Sequence, residues 1–276
     1  MKFLKILAFL SALQSLLPFL KPQDRSLKTL LWLPKLIAGA FALPAALIGA
    51  LAALIGLIRK DWKLAGLGLV SAGLAGKFIN EVPASQTAFD ETFGVNWEGK
   101  IPEWLAPRLM PERLVIPLPP ATDFRLQQNR VFGQHPQSGV DLLADLWQPA
   151  QGMPHSGLGI VYLHGSGWRV GDKDMGTRNF FQRLASQGHV ILDIAYTLWP
   201  EADIPTMLIE TNQAVRWLKI HAAELGFDPH KVVLMGGSAG AHLALNAAYT
   251  AGNPAFQPAG DTGDTSVCGV VAFYPP

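Results

Sequence analysis

Gly236-Gly237-Ser238-Ala239-Gly240 follows the apolar run 231–235 and leads into the helix-like stretch 243–248. A serine so placed, on a sharp turn from strand to helix, holds its Oγ up at the carboxyl edge of a sheet, where it can attack an acyl carbon. Glycines two residues either side suit a strained backbone and a helix packed hard on its strand. The alternative is a glycine-rich turn with a structural serine. Upstream, the apolar run 160–163 reads as a buried strand, and His164-Gly165-Ser166-Gly167-Trp168 stands at its carboxyl end. In an open α/β sheet that end faces the ligand crevice. Main-chain N–H groups of Ser166 and Gly167, with that of Ala239, could there hold the oxygen of a tetrahedral intermediate. An ordinary strand-to-helix turn is the competing reading.

These segments resemble the α/β-hydrolase esterases of the hormone-sensitive-lipase-like and feruloyl-esterase-like group. The resemblance runs over 125–276 and includes two further stretches. One is Asp193-Ile194-Ala195-Tyr196-Thr197-Leu198-Trp199-Pro200-Glu201, similar to that family's D-Y-R-L-A-P-E. The other is Ala214-Val215-Arg216-Trp217-Leu218 with Phe227-Asp228-Pro229-His230-Lys231-Val232. It implies a doubly wound, mainly parallel sheet, Ser238 as the catalytic nucleophile, an oxyanion hole from Ser166, Gly167 and Ala239, and a scaffold role for His164, Gly165 and Trp168. Thr197 replaces the family's arginine, so an ion pair made by that arginine is expected to be absent. Neither a cofactor nor a metal is implied.

The fold orders its triad as serine, acid, histidine. After Ser238 the chain offers only His242, Asp261 and Asp264. His242 lies one turn along the nucleophile's own helix, and the two aspartates precede the next strand. His135, His155, His189, His221 and His230 fall outside the expected edge. The sheet is therefore expected to be incomplete at the carboxyl terminus, the chain stopping before its acid and base; a catalytically inactive relative is the alternative.

Hydrophobic residues make up 49% of the chain and charged residues 16%, unusually apolar for a soluble enzyme. A net charge of +1 gives no reason to expect nucleic acid. The single Cys268, in an apolar run, excludes an internal disulfide and reads as a core residue. The excess apolarity lies in residues 1–80. Residues 36–58 carry no charge and are long enough to cross a bilayer, with a kink at Pro44. Residues 64–80 make a shorter, glycine-rich second span. Gly68, Ala72 and Gly76, with Gly49 and Ala53, offer small faces through which two such helices could pack as a hairpin. Residues 1–20 could be a signal sequence, a further span or a surface helix, and a retained segment is preferred because no cleavage site is obvious. Basic residues flank both sides, leaving orientation open.

Residues 81–123, rich in proline and tryptophan, read as a linker or partial cap, with Phe93, Trp97 and Trp104 available to cover an acyl pocket. Residues 124–276 read as the hydrolase domain: an antiparallel pair over 125–132 and 140–147, strands at 159–163, 190–195, 231–235 and 267–273, and helices at 179–187 and 205–225. The expected protein is a membrane-anchored serine hydrolase of small-molecule or lipid esters. An esterase of lipid-modified substrates and an inactive interaction module are the alternatives.

Overall fold

A computed structural model of the chain describes residues 2–81, 87–109, 121, 123–258, 260 and 263–276. They divide into two compact units, Met1–Lys100 and Ile101–Pro276.

The first unit is helical: α1 (Lys2–Leu16), α2 (Arg25–Ala40), α3 (Ala42–Ile58), α4 (Trp62–Glu81) and α5 (Thr87–Phe93). Its inward-facing side chains are mostly small. Ala8, Ser11, Ala12 and Ser15 of α1 are buried, as are Ala45, Gly49, Ala52, Ala53 and Gly56 of α3 and Ala65, Gly68, Ser71 and Ala75 of α4. Leu13, Leu47, Leu51, Leu54, Leu57 and Leu69 are exposed. The α3–α4 hairpin closes through its glycines: a Cβ on Gly49 would lie 2.6 Å from Ala72 N, and one on Gly68 would strike the Ala53 backbone. Gly76 has open space around it, and Ala75 takes the interface position instead. Three serines satisfy one another inside. Ser11 Oγ is 2.8 Å from Ser71 Oγ and both lie within reach of the Ala45 carbonyl, so one hydroxyl donates to that carbonyl and the other to its neighbour, while Ser15 Oγ donates to the Ser11 carbonyl.

The uncharged run 36–58 is not one helix. α2 ends at Ala40, Phe41 leaves helical geometry, and α3 departs at 66°. Pro44 explains the break: it cannot donate to the carbonyl of Ala40, and its ring crowds that carbonyl. Among the described helices, the stretch Lys2–Phe19 alone is long and apolar enough to cross a membrane by itself; the bent α2–α3 pair qualifies only as one span. The expected span at 64–80 does not qualify, its leucines being diluted by glycines, Lys63, Lys77 and Glu81.

In the second unit six strands form one sheet among the described residues: β1 (Phe124–Gln134), β2 (Asp141–Pro149), β3 (Gly159–Leu163), β4 (Val190–Ile194), β5 (Val232–Gly237) and β6 (Gly269–Phe273). Their order is β1-β2-β4-β3-β5-β6, with β1, β2 and β4 antiparallel and β4, β3, β5 and β6 parallel. Helix α6 (Arg178–Ser186) packs on one face through Phe181 and Ala185, against Trp147, Ile160, Tyr162 and Ile191. The other face meets α7 (Ile204–Ile220), α8 (Ala222–Leu225) and α9 (Ala239–Tyr249) and buries Leu146, Val161, Leu192, Leu218, Leu234 and Leu243. Alternate residues of each strand thus enter two cores, the period of two that a sheet covered on both faces requires. The expected helix 205–225 is interrupted at His221, whose ring stacks on Trp217 and whose Nδ1 donates to the Trp217 carbonyl.

Two expectations are corrected here. Cys268 is exposed, because it precedes β6 and only its backbone N–H is engaged, on Val232 O. Trp104 lies against Gly188, which precedes β4, so it covers the amino end of the sheet and not the acyl-pocket edge. The linker divides at Lys100, which leaves Phe93 and Trp97 in the first unit. Residues 82–86, 110–120 and 122 of it lie outside the described residues.

Candidate functional site

Ser238 sits between β5 and α9 with φ 51° and ψ −118°. A non-glycine residue there is strained by about 1–3 kcal/mol and persists only when its surroundings fix it. They do. The Ser238 N–H donates to Phe273 O at 2.9 Å, and its carbonyl accepts from His242 N at 3.0 Å. Gly236 and Gly240 are pressed together: a Cβ on Gly236 would lie 2.5 Å from Gly240 C, and one on Gly240 would collide with the carbonyl of Leu163 on β3. The helix therefore packs directly on the strand. Although Ser238 occupies the N-cap position of α9, its side chain makes no capping bond. Its half-buried Oγ has no hydrogen-bonding partner among the described residues.

The loop after β3 reaches the same place. A Cβ on Gly165 would stand 3.0 Å from Gly237 O and 3.5 Å from Ser238 Cβ, so main chain passes the serine in van der Waals contact. Ser166, Gly167 and Trp168 follow in left-handed conformation, φ 78°, 66° and 61°, curling the loop. His164 beneath it is 2% exposed, stacks on Tyr196 at 4.5 Å and bonds the Gly165 carbonyl through Nδ1 at 3.0 Å. Nδ1 thus carries the proton. Burial lowers the pKa of this imidazole, favouring a neutral ring suited to structure. Tyr196 Oη completes the clamp by donating to His164 O at 2.9 Å. Trp168 packs edge-on against His242 at 5.3 Å. Beyond Gly167 and Trp168 opens a cavity of about 500 Å³, lined also by Trp199, Ile204 and Met207.

Fold thus brings Ser238, Gly165 and the Ser166–Trp168 turn together, with Ala239 at the first turn of α9, where N–H groups lack helical acceptors. No histidine among the described residues hydrogen-bonds Oγ; His242 packs on Trp168 and leaves Nδ1 buried without a partner. His135 Nδ1 accepts the N–H groups of Gln137 and Ser138 in the β1–β2 turn. His189 bonds Ser156 Oγ at 2.7 Å, and burial lowers its pKa to about 4. His155 packs against Gly226, His221 on Trp217, and His230 is exposed. Asp264 pairs with Lys219 at 2.5 Å, which holds its carboxyl far below the usual range. Asp261 lies outside the described residues.

One buried acid escaped the sequence reading. Glu210 of α7 is fully buried and accepts from both N and Oγ1 of Thr197, each at 2.7 Å. Burial nevertheless raises its pKa. The two bonds hold the segment after β4 at Thr197, the position where the resembled family carries an arginine. The signal was present: a charged residue amid the apolar face Leu208, Ala214 and Val215.

The BD-FAE family model matches residues 144–276. The esterase LipQ of Mycobacterium tuberculosis is 29% identical over 137 residues, 49% of this chain and 32% of that one. The probable carboxylic ester hydrolase LipM of the same organism is 33% identical over 131 residues, 47% of this chain and 30% of that one. A probable isoprenylcysteine alpha-carbonyl methylesterase, ICMEL1 of Arabidopsis thaliana, is 28% identical over 123 residues, 43% and 24% of the two chains. The matches span about a third or less of these curated relatives. The apo form of Thermogutta terrifontis esterase 2 is 29% identical, covering 59% of each chain, with a TM-score of 0.47.

Proposed function

The chain belongs, through residues 144–276, to the α/β-hydrolase esterases, and from that premise we propose that it is a membrane-anchored serine hydrolase of carboxylic esters. The observation that carries the reading is the strained Ser238, its Oγ uncommitted and the backbone of Gly165 against it. Ser238 Oγ attacks the acyl carbon and forms the acyl-enzyme as the alcohol leaves; water then releases the acid. The N–H groups of Ser166, Gly167 and Ala239 receive the oxyanion. Each such donor lowers the barrier by about 3–4 kcal/mol when its geometry is fixed beforehand. Proton transfer requires a base within hydrogen-bond reach of Oγ. The cavity beyond Gly167 receives the bulkier apolar part of the ester.

Anchoring is supported by the first unit's inverted packing, small and hydroxyl side chains inside and leucines outside, which suits lipid as solvent. Holding the site at a bilayer surface favours esters that partition into membranes. A lipid-modified substrate is the second reading, favoured by the similarity to ICMEL1, whose name refers to isoprenylcysteine.

The test is activity-based labelling of the protein in membranes of its own cells. A fluorophosphonate should modify Ser238, identified in the modified peptide by mass spectrometry. Ser238→Ala should abolish that labelling and cut turnover of short acyl esters by on the order of 10⁴ or more. Undiminished turnover in the variant would sink the assignment.

A further inference from the structure

Asp145 on β2 and Asp193 on β4 stand directly opposite each other in the antiparallel ladder, 1% and 0% exposed. Side chains so paired have Cβ atoms about 5 Å apart, and like charges in that relation repel. Each carboxyl is half engaged. Asp193 Oδ2 accepts the Asp174 N–H at 2.6 Å. Asp145 Oδ1 accepts the Asn129 N–H at 3.0 Å and faces Lys173 Nζ at 3.6 Å. The other two oxygens, Asp193 Oδ1 and Asp145 Oδ2, are buried without a partner among the described residues. An orphaned polar atom at such depth carries the full cost of its lost hydration.

We propose that Asp193 Oδ1 and Asp145 Oδ2 share one proton, and that this singly charged pair, through Lys173 and Asp174, positions the loop that carries Ser166 and Gly167. One proton supplies a donor to one orphan and an acceptor to the other, so both are satisfied at once. The pair then bears a single negative charge, opposite the single ammonium of Lys173.

The neighbouring elements bring few other charges to the pair. On β3, Tyr162 is the register neighbour of Asp193, and burial with the Asp193 charge pushes its phenol up to about 12, so it stays neutral. Tyr274 pushes the Tyr162 phenol in the same direction. In the loop, Asp174 Oδ2 pairs with Arg178 of α6 at 2.7 Å, while Asp174 Oδ1 is likewise buried without a partner among the described residues, and the Arg178 guanidinium lies over Trp147. Burial drives the Asp193 carboxyl well above the usual range; Asp145 and Asp174 push the same way, while the Asp174 N–H and Lys173 oppose them.

Residues 173 and 174 are thereby tied to the sheet, while Gly171 (φ 110°) lies so close to His164 that a Cβ would be 2.8 Å from its Nδ1. The turn Ser166–Trp168 is bounded by His164, which Tyr196 clamps, on one side and by residues 171–174 on the other. That catalytic consequence rests on the oxyanion role proposed above; the shared proton does not. The sign follows from the raised pKa. The ordered loop is favoured while the proton is bound and loosens as pH rises through the pair's titration.

The experiment uses the 276-residue chain in detergent with aspartate labelled by carbon-13 at its side-chain carboxyl. Isotope-edited infrared spectra separate these groups from Glu210. Expected is a neutral aspartic acid band that persists well above the ordinary carboxylate pKa near 4 and is missing in Asp193→Asn. Hydrogen exchange of 164–176, taken relative to α7, should accelerate over the pH range in which that band vanishes. Asp193→Asn should lose this step, and Lys173→Met should speed exchange of the segment by on the order of tenfold at neutral pH. A wild-type chain whose aspartates are all ionised at neutral pH would overturn the proposal, even if no variant folds. So would an Asp193→Asn loop that keeps the alkaline step. Both readouts stand whether or not Ser238 is labelled, so failure here and failure of the esterase reading are told apart.

Discussion

In the amino-terminal unit the residues turned inward are Ala8, Ala45, Gly49, Ala52 and Ser71, while Leu47, Leu51 and Leu54 face out. In the hydrolase unit Leu146, Leu192, Ile194 and Leu234 are fully or almost fully buried. The same apolar residue types serve opposite ends. In the sheet, removing large apolar surface from water stabilises the fold, at roughly 25 cal/mol per Å². In the helical unit, close approach of backbones through Gly49 and Gly68 does the packing and leucines are left for the surroundings. The contrast teaches that a chain's mean apolarity says little until one knows which side chains face inward.

The sharpest way to break the comparison is to truncate a leucine in each unit. Leu192→Ala should destabilise the hydrolase unit by about 2–5 kcal/mol, read by denaturant unfolding, because a cavity opens in the core. Leu51→Ala, on an exposed position, should change stability by no more than about 0.5 kcal/mol. Equal losses would show that Leu51 is buried in the working protein.

A second trial concerns what surrounds the helical unit. Leu47→Lys, Leu51→Lys and Leu54→Lys should each cost about 2.5–3.5 kcal/mol of insertion if that face meets hydrocarbon. The triple variant should appear in the supernatant after a carbonate wash, where the parent stays with membranes. A soluble parent chain would remove the bilayer from the comparison.

The two interiors also differ in what they titrate. Among described residues, the buried polar side chains of the amino-terminal unit are serines, whereas in the hydrolase unit partial burial of His189 lowers its pKa from 6.5 to about 4. The fold prefers the neutral ring, so its contribution is complete above 6.5 and is lost as pH falls towards 4, at most roughly 3 kcal/mol in all. His189→Gln should flatten the thermal melting temperature of the hydrolase unit across that window. A parent whose melting temperature is unchanged there would refute this assignment.

The smallest expected effect sharpens the role of glycine. In α3 and α4 glycine gives room, but around Ser166 it would give conformation, since φ there is 78°. Ser166→Gly relieves left-handed strain of about 1 kcal/mol and keeps the main-chain donor. Labelling of Ser238 should stay close to the parent rate, with a melting temperature equal or slightly higher. A large loss would assign the hydroxyl itself a part in the chemistry.

The elements around the site were legible because they depend on local pattern. The five-residue strand at 159–163, the strand at 190–194, and the Gly-x-Ser-x-Gly turn all announce themselves through runs of β-branched residues ended by glycine or polar residues. The hairpin read from the small-faced segments 36–58 and 64–80 is made by α3 and α4, over 42–58 and 62–81. Other features depended on partners distant in sequence. Whether Cys268 is covered is decided by where β6 begins, and Trp104 is placed by its packing on Gly188. The bend expected from Pro44, by contrast, is local: it falls at Phe41 because Pro44 gives no donor to the carbonyl of Ala40 four residues back. Thr197 finding Glu210, and Asp145 facing Asp193, are matters of tertiary approach and strand register. Sequence by itself determined the backbone strain and polarity of each segment, because those act within a few residues. Tertiary structure alone decided which buried charges meet, because burial and Coulomb energy depend on distances that no local pattern specifies.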